Sequence, residues 1–328
     1  MRWRTIMERI AVYSVVAPAI GVGVQPQVAV PVQKLAVHVA VQSRTPGEMR
    51  LLPGPEEATE GDAFVLYEKA IGSLPKNPDW GPITGWRLTA VNDLPLGEVA
   101  TALRPFEPSL VWLERAGKCR RCEWPLIIED EVPPNLRACR NMAFLLSLKA
   151  RYHMGRGDYP SCVRTLGTGF ALARHLSAGP NVLHLLIGSA VSALLCRDVE
   201  MYVQPRGAPS VEAALRAIPT PLFDERHSEI YGQAPKDQDQ IRLLLGRANR
   251  HIIALQYVET LRSYATKTGR WPETLDDLKA GLSADPVTGK PFTYRRPTET
   301  QAVLEGFVPE GGNAKDGIQY ELSIVRDS

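Results

Sequence analysis

"GRWPETLDDLKAGLSADPVTGKPFTYR", residues 269–295, carries the sharpest local signals in this chain of 328 residues. It follows a long helical pattern over roughly 236–267. There Ile241, Leu245, Ala248, Ile252, Leu255, Val258, Leu261 and Ala265 recur three or four apart, which lays one apolar stripe along a helix. Gly269 supplies the left-handed cap that ends it. Pro272 opens a new turn, and Thr274 with Asp277 predicts a capping box. Beyond it, "KPFTYRR" and "GIQYELSIV" alternate apolar and polar residues as strands do. Two or three strands laid on the end of a helix bury part of its stripe and gain the support that isolated strands lack. Trp271, Pro272, Phe292 and Tyr294 are the expected packing anchors of this module, with Leu275 and Leu278 beside them.

Upstream, the pattern is helical. Residues 135–176 read as helix, turn and helix, with Gly155, Gly157 and Asp158 in the turn and Pro160 where a first helical turn tolerates it. Ala150, Cys162 and Gly169 are small residues suited to a close approach of helices. A further helix is expected over about 181–203, short ones near 96–104 and 109–117, and another over 62–75, capped by Asp62 and stopped by Gly72 and Pro75. The run "VLHLLIGSAVSALLC" (182–196) is short for a bilayer and contains His184, so it reads as a buried helix. Residues 75–95 and 217–235 read as loops. The expected fold is mainly α: an irregular helical bundle with a small antiparallel β module at the C-terminus, α+β in class.

A chain of this length holds about two domains. With 44% hydrophobic and 23% charged residues it is ordinary globular material. A formal net charge of +2 offers no basic stripe for nucleic acid. Arg2, Arg4 and Arg9 precede an apolar run from Ile10 to Val24, broken at Pro18. This predicts a signal peptide or membrane anchor over 1–25, the competing reading being a core helix interrupted at the proline. Residues 26–61 read as a linker with one strand within "KLAVHVAVQ" (34–42), 62–235 as a helical domain, and 236–328 as the long helix plus the α+β module. The expected localisation is exported, in the periplasm or cell envelope, with membrane contact only through the N-terminus.

Three resemblances sharpen this organisation. The order of long helix, Trp271-Pro272, short capped helix, Asp285-Pro286 before Gly289, and the aromatic strand with Phe292 and Tyr294 resembles the soluble end of type II secretion pseudopilins of the major, G-type class. It covers about residues 245–325. That resemblance implies a link to secretion and a calcium-binding terminal loop, for which Glu310, Asn313 and Asp316 offer oxygens; calcium wants 6–8. The family's leader junction and long apolar stem are not matched, so the tail is expected to act as a packing cap and not as a filament-forming element. The hairpin around "GDYPSC" resembles a tetratricopeptide unit, without a 34-residue recurrence to make an array. As a whole the chain is similar to exported bacterial proteins to which no activity is assigned.

Few constellations could carry chemistry. Cys119 and Cys122 have a Cys-x-x-Cys spacing, with Cys139 further on; the set lacks the second pair of a zinc site. It reads as a structural disulfide or inert thiols, the alternative being a redox pair whose thiolate Arg120 and Arg121 would favour. Asp224, Glu225, Arg226 and His227 form a polar cluster that reads as a solvated, self-paired loop, the alternative being acid–base work. His153, His175, His184 and His251 are isolated at helical positions. No P-loop, Gly-x-Ser-x-Gly or His-Glu-x-x-His is present. The expectation is a non-catalytic exported protein that needs no cofactor and acts by contact with protein partners. The alternative is a hydrolase or thiol–disulfide enzyme using Asp224, Glu225 and His227, or Cys119 and Cys122.

Overall fold

A computed structural model describes residues 30–38, 49–86, 89–125, 134–224 and 235–325. The expected N-terminal signal or anchor, the acidic run at 126–131, and Glu225, Arg226 and His227 lie outside the described residues. The fold is α+β, mainly helical, with a small C-terminal antiparallel sheet. The chain divides into two compact units: one holds the described residues up to Val37 together with those from Phe223 onward, the other holds His38–Leu222. The helical unit is thus inserted into the unit that carries the C-terminal module.

The helical unit begins, after strand β2 (Thr59–Asp62), with α1 (Ala63–Gly72). Asp62 caps α1 by accepting from the Phe64 N–H at 3.0 Å. The expected loop at 75–95 holds a short helix, α2 (Trp80–Gly85), followed by α3 (Leu96–Leu103) and α4 (Glu107–Gly117). Strand β3 (Cys119–Arg121) pairs in parallel with β2. Then come α5 (Pro134–Gly155), α6 (Tyr159–Ser177), α7 (Val182–Tyr202) and the short α8 (Glu212–Arg216). Asp158 caps α6 and Asn181 caps α7, each taking backbone N–H groups that a helix start leaves unpaired.

Small residues set the spacing, in part against a different neighbour from the one expected. A Cβ on Gly169 would come within 2.7 Å of Leu195 in α7, and one on Gly188 within 2.8 Å of the Ala173 carbonyl oxygen. The close approach is therefore α6 on α7. Helix α7 runs 21 residues, longer than its apolar run suggested, and is apolar enough to cross a membrane by length and composition. Its packing against both α5 and α6, and its buried Asp198 and Glu200, make it a core helix.

The second unit is built on α9 (Pro235–Thr268). All eight residues of the predicted stripe are buried. Burial extends beyond it: Gln256, Glu259, Thr260 and Arg262 are also buried, and Glu259 pairs with Arg262 at 2.7 Å. Gly269 ends the helix at φ 73, as its sequence position required. A 3-10 turn (Leu275–Leu278) follows, with the Thr274–Asp277 capping box formed.

The sheet holds β4 (Thr293–Thr298), β5 (Gln301–Gly306), β6 (Ile318–Val325) and β1 (Val32–His38) in the order β1-β6-β5-β4. Strands β4, β5 and β6 pair antiparallel. Strand β5 escaped the sequence pattern because its Ala302, Val303 and Leu304 are all buried and do not alternate. The strand expected within 34–42 is β1, and β2 begins at Thr59, so the stretch read as a linker carries one strand and the start of another. Strand β1 buries Leu35 and Val37 and joins β6 across more than 280 residues of sequence, a pairing that no local signal announces.

Candidate functional site

The C-terminal motif folds around one arginine. Arg250 of α9 donates from Nε to Asp285 Oδ1 at 2.7 Å and from Nη2 to Oδ2 at 2.6 Å, and also bonds the carbonyls of Phe307 and Asp316. Both charged side chains are buried. Asp285 in turn accepts from the Val287 N–H at 3.0 Å and the Thr288 hydroxyl at 2.8 Å, and Gly289 turns the loop at φ 68. The Asp-Pro-x-x-Gly segment is thus an arginine-clasped turn. Trp271 is fully buried, Phe292 nearly so, and the Tyr294 hydroxyl donates to the Pro272 carbonyl at 2.9 Å. Leu275 and Leu278 are only half-buried.

The terminal loop departs from the calcium expectation. Glu310 and Asn313 are exposed. Asp316 is buried, pairs with Arg247 and accepts from the Asn313 N–H at 2.6 Å. The partner of the Asp316 carboxylate is thus the Arg247 guanidinium. Among the described residues no group of three His, Cys, Asp or Glu side chains is placed to hold a metal.

The cysteines are thiols. Cys119, Cys122 and Cys139 lie around Tyr67, close enough to influence its titration. Burial first, and then Asp62, push the Cys122 thiol up; burial pushes up Cys139. The arginines expected to favour thiolate point elsewhere: Arg120 bonds the Pro55 carbonyl and Arg121 pairs with Glu123. Cys162 and Cys196 are core residues, as their helical faces implied.

The polar centre beside these thiols is structural. His175 accepts at Nδ1 from the Tyr67 hydroxyl at 2.8 Å, and its Nε2 lies 3.0 Å from the Cys119 carbonyl. A carbonyl only accepts, so Nε2 carries the proton and Nδ1 is the acceptor. Trp124 Nε1 donates to the His175 carbonyl at 2.7 Å. Burial, with Arg174 adding to it, lowers the His175 pKa to about 4 and keeps the ring neutral. Each of these polar groups has a partner.

A groove runs along α6 on the face toward α4. Its wider part, about 620 Å³, is lined by Met49–Pro53, by Gly117 and Lys118 at the end of α4, and by Pro160, Val163, Arg164 and Gly167 of α6. The chain's own segment 49–53 lies along it, with Leu51 and Leu52 buried. Gly167 permits this, because a Cβ there would sit 2.5 Å from the Leu51 carbonyl oxygen. A smaller pocket of about 240 Å³ continues the groove between α4, α5 and α6, sharing Glu114, Arg164 and Thr168 with the first. Leu110 and Leu146 contribute its apolar lining; Lys149, His153, Ser161 and Thr165 complete it.

Sequence reasoning left this pocket unread. Lys149 and His153 are four apart on α5, and Ser161, Arg164, Thr165 and Thr168 share one face of α6, so the spacing was visible. Nothing in it announced that the two faces meet. Asp224 is described, but the rest of its predicted cluster is not, so no site is built there. No family model, curated protein or solved structure matches this chain.

Proposed function

We propose that this protein is a non-catalytic exported or envelope-associated protein that acts by protein–protein contact, using the groove along α6. One observation carries the reading. The groove already receives a non-helical segment of the chain itself, backbone against Gly167 and two leucines buried. A helical surface that holds one such segment, and keeps open volume beside it, suits a second segment from a partner. Charges of both signs line the groove, Arg164 and Lys118 together with Glu114 and Glu57, which suits a polypeptide better than an apolar small molecule. Thiol chemistry is opposed by the environments that keep Cys122 and Cys139 protonated. Export and a link to secretion rest on the N-terminal run and on the pseudopilin-like tail.

The test is a photo-crosslinking residue at Lys118, an exposed position on the groove wall, in cells separated into cytoplasmic and envelope fractions. A discrete adduct with an envelope protein, absent when the residue stands at the exposed Glu98 outside the groove, is the expected result. Full-length protein confined to the cytoplasm, or no adduct at Lys118, overturns the reading.

A further inference from the structure

We propose that the small pocket between α4, α5 and α6 is a seat for an oxyanion, a phosphate-like or carboxylate group, held by Lys149, His153, Ser161 and Arg164. Four observations combine. The pocket is about 240 Å³, smaller than the clefts of ~300–1,000 Å³ that take whole drug-sized ligands, so it fits a single polar group. Two cations and an imidazole line it, with hydroxyls from α6 between them. The guanidinium of Arg164 makes one side-chain hydrogen bond, to Ser161 Oγ at 3.3 Å, and forms no ion pair within contact distance, although Asp158 feels its charge. His153 points Nδ1 at Asp158 Oδ2, 3.4 Å away, which leaves Nε2 for a ligand.

Charged groups surround the pocket on every side. From α4, Glu107 is taken up by Lys149 at 3.2 Å, and Glu114 stands exposed where the pocket opens into the groove. From the turn, Asp158 is engaged by His153 and by the Ser161 N–H. Arg156 is drawn to the Tyr152 hydroxyl. At His153 itself, burial lowers the pKa first, Asp158 opposes it, and Lys149, Arg156 and Arg164 each lower it further.

An anion at Nε2 requires a proton on that nitrogen. Binding and protonation of His153 must then reinforce each other, and affinity must rise as pH falls through its titration. The seat deepens the contact-surface reading by naming the group a partner would present in the groove. It is measured without any partner, so a seat without a cross-linked protein and a cross-linked protein without a seat are separate outcomes.

The experiment follows the His153 imidazole by NMR in the full chain, with inorganic sulfate as the phosphate-like probe and acetate as the carboxylate probe. Sulfate keeps its charge across the range, and chloride at equal ionic strength is the control. His153→Asn assigns the resonance. The expected result is a saturable rise in the His153 pKa of about 1 pH unit with sulfate or acetate. The rise should be lost in Arg164→Gln and in Lys149→Gln, both folded by circular dichroism. Whichever probe saturates at lower concentration identifies the oxyanion class. An equal shift with chloride, no saturable shift with either probe, or a shift kept in both variants overturns the proposal.

Discussion

Three side chains concentrate the energetics. Trp271 is fully buried on the C-terminal module, and its indole N–H finds no partner. Its contribution is therefore packing. Trp271→Ala should cost about 3–5 kcal/mol and lower the melting temperature, whereas Trp271→Phe should recover much of the loss. Thermal melting of the two variants checks this, and an unmoved melting temperature in the alanine variant would contradict it. Arg250 and Asp285 form a buried pair, so removing one partner strands the other. Arg250→Met should destabilise by about 3–5 kcal/mol in a denaturant titration.

Asp198 acts through pH. Burial raises its carboxyl to about 7, against the pull of Ser147 and Arg151, while Glu200 adds to the rise. Its ordinary value is about 3.9. A raised pKa means that the folded state holds the proton more tightly than the unfolded chain. Stability is therefore fully present below about pH 4 and is lost as pH rises toward 7, by about 3–4 kcal/mol at one such group. Asp198→Asn should remove that slope while keeping an acceptor for Ser147. Unfolding free energies at pH 5 and pH 8, compared between wild type and variant, test it.

At the scale of elements, segment 49–53 and helix α6 define each other. Gly167 is where the backbone of Leu51 comes too close for any side chain. Gly167→Val should lift the segment from the groove at a cost of about 1–3 kcal/mol. Tryptic cleavage after the exposed Arg50 should then accelerate, while α9, in the other unit, keeps its hydrogen-exchange protection. Unchanged cleavage would mean that the segment is held by its leucines alone. The caps show the opposite case, in which local sequence suffices: Asp62, Asp158, Thr274 and Gly269 all act within a few residues of themselves.

For the whole molecule, the decisive fact is that one unit is discontinuous. Strand β1 completes the C-terminal sheet, burying Leu35 and Val37 beside β6 and placing Lys34 3.4 Å from Glu321. Leu35→Asp should cost about 3 kcal/mol by burying a charge. Hydrogen exchange should report lost protection across Ile318–Val325, far away in sequence, with α5 and α6 unchanged. If β6 keeps its protection, the sheet does not depend on its first strand.

The sequence by itself determined what is local. The stripe of α9, the Gly269 stop, the Thr274–Asp277 box, the Asp62 cap and the α5–α6 hairpin follow from interactions that span one or two turns, so a single chain reading recovers them. It also identified Trp271 and Phe292 as anchors and set the α+β class. Only the tertiary structure decided the rest. The pairing of β1 with β6, the clasp of Asp285 by Arg250, the occupation of Asp316 by Arg247 and the meeting of His153 with Arg164 join residues that share no period and no spacing. Such contacts are selected by which faces can be buried together once all elements compete for the same partners, and a buried charge takes the partner that packing places within reach.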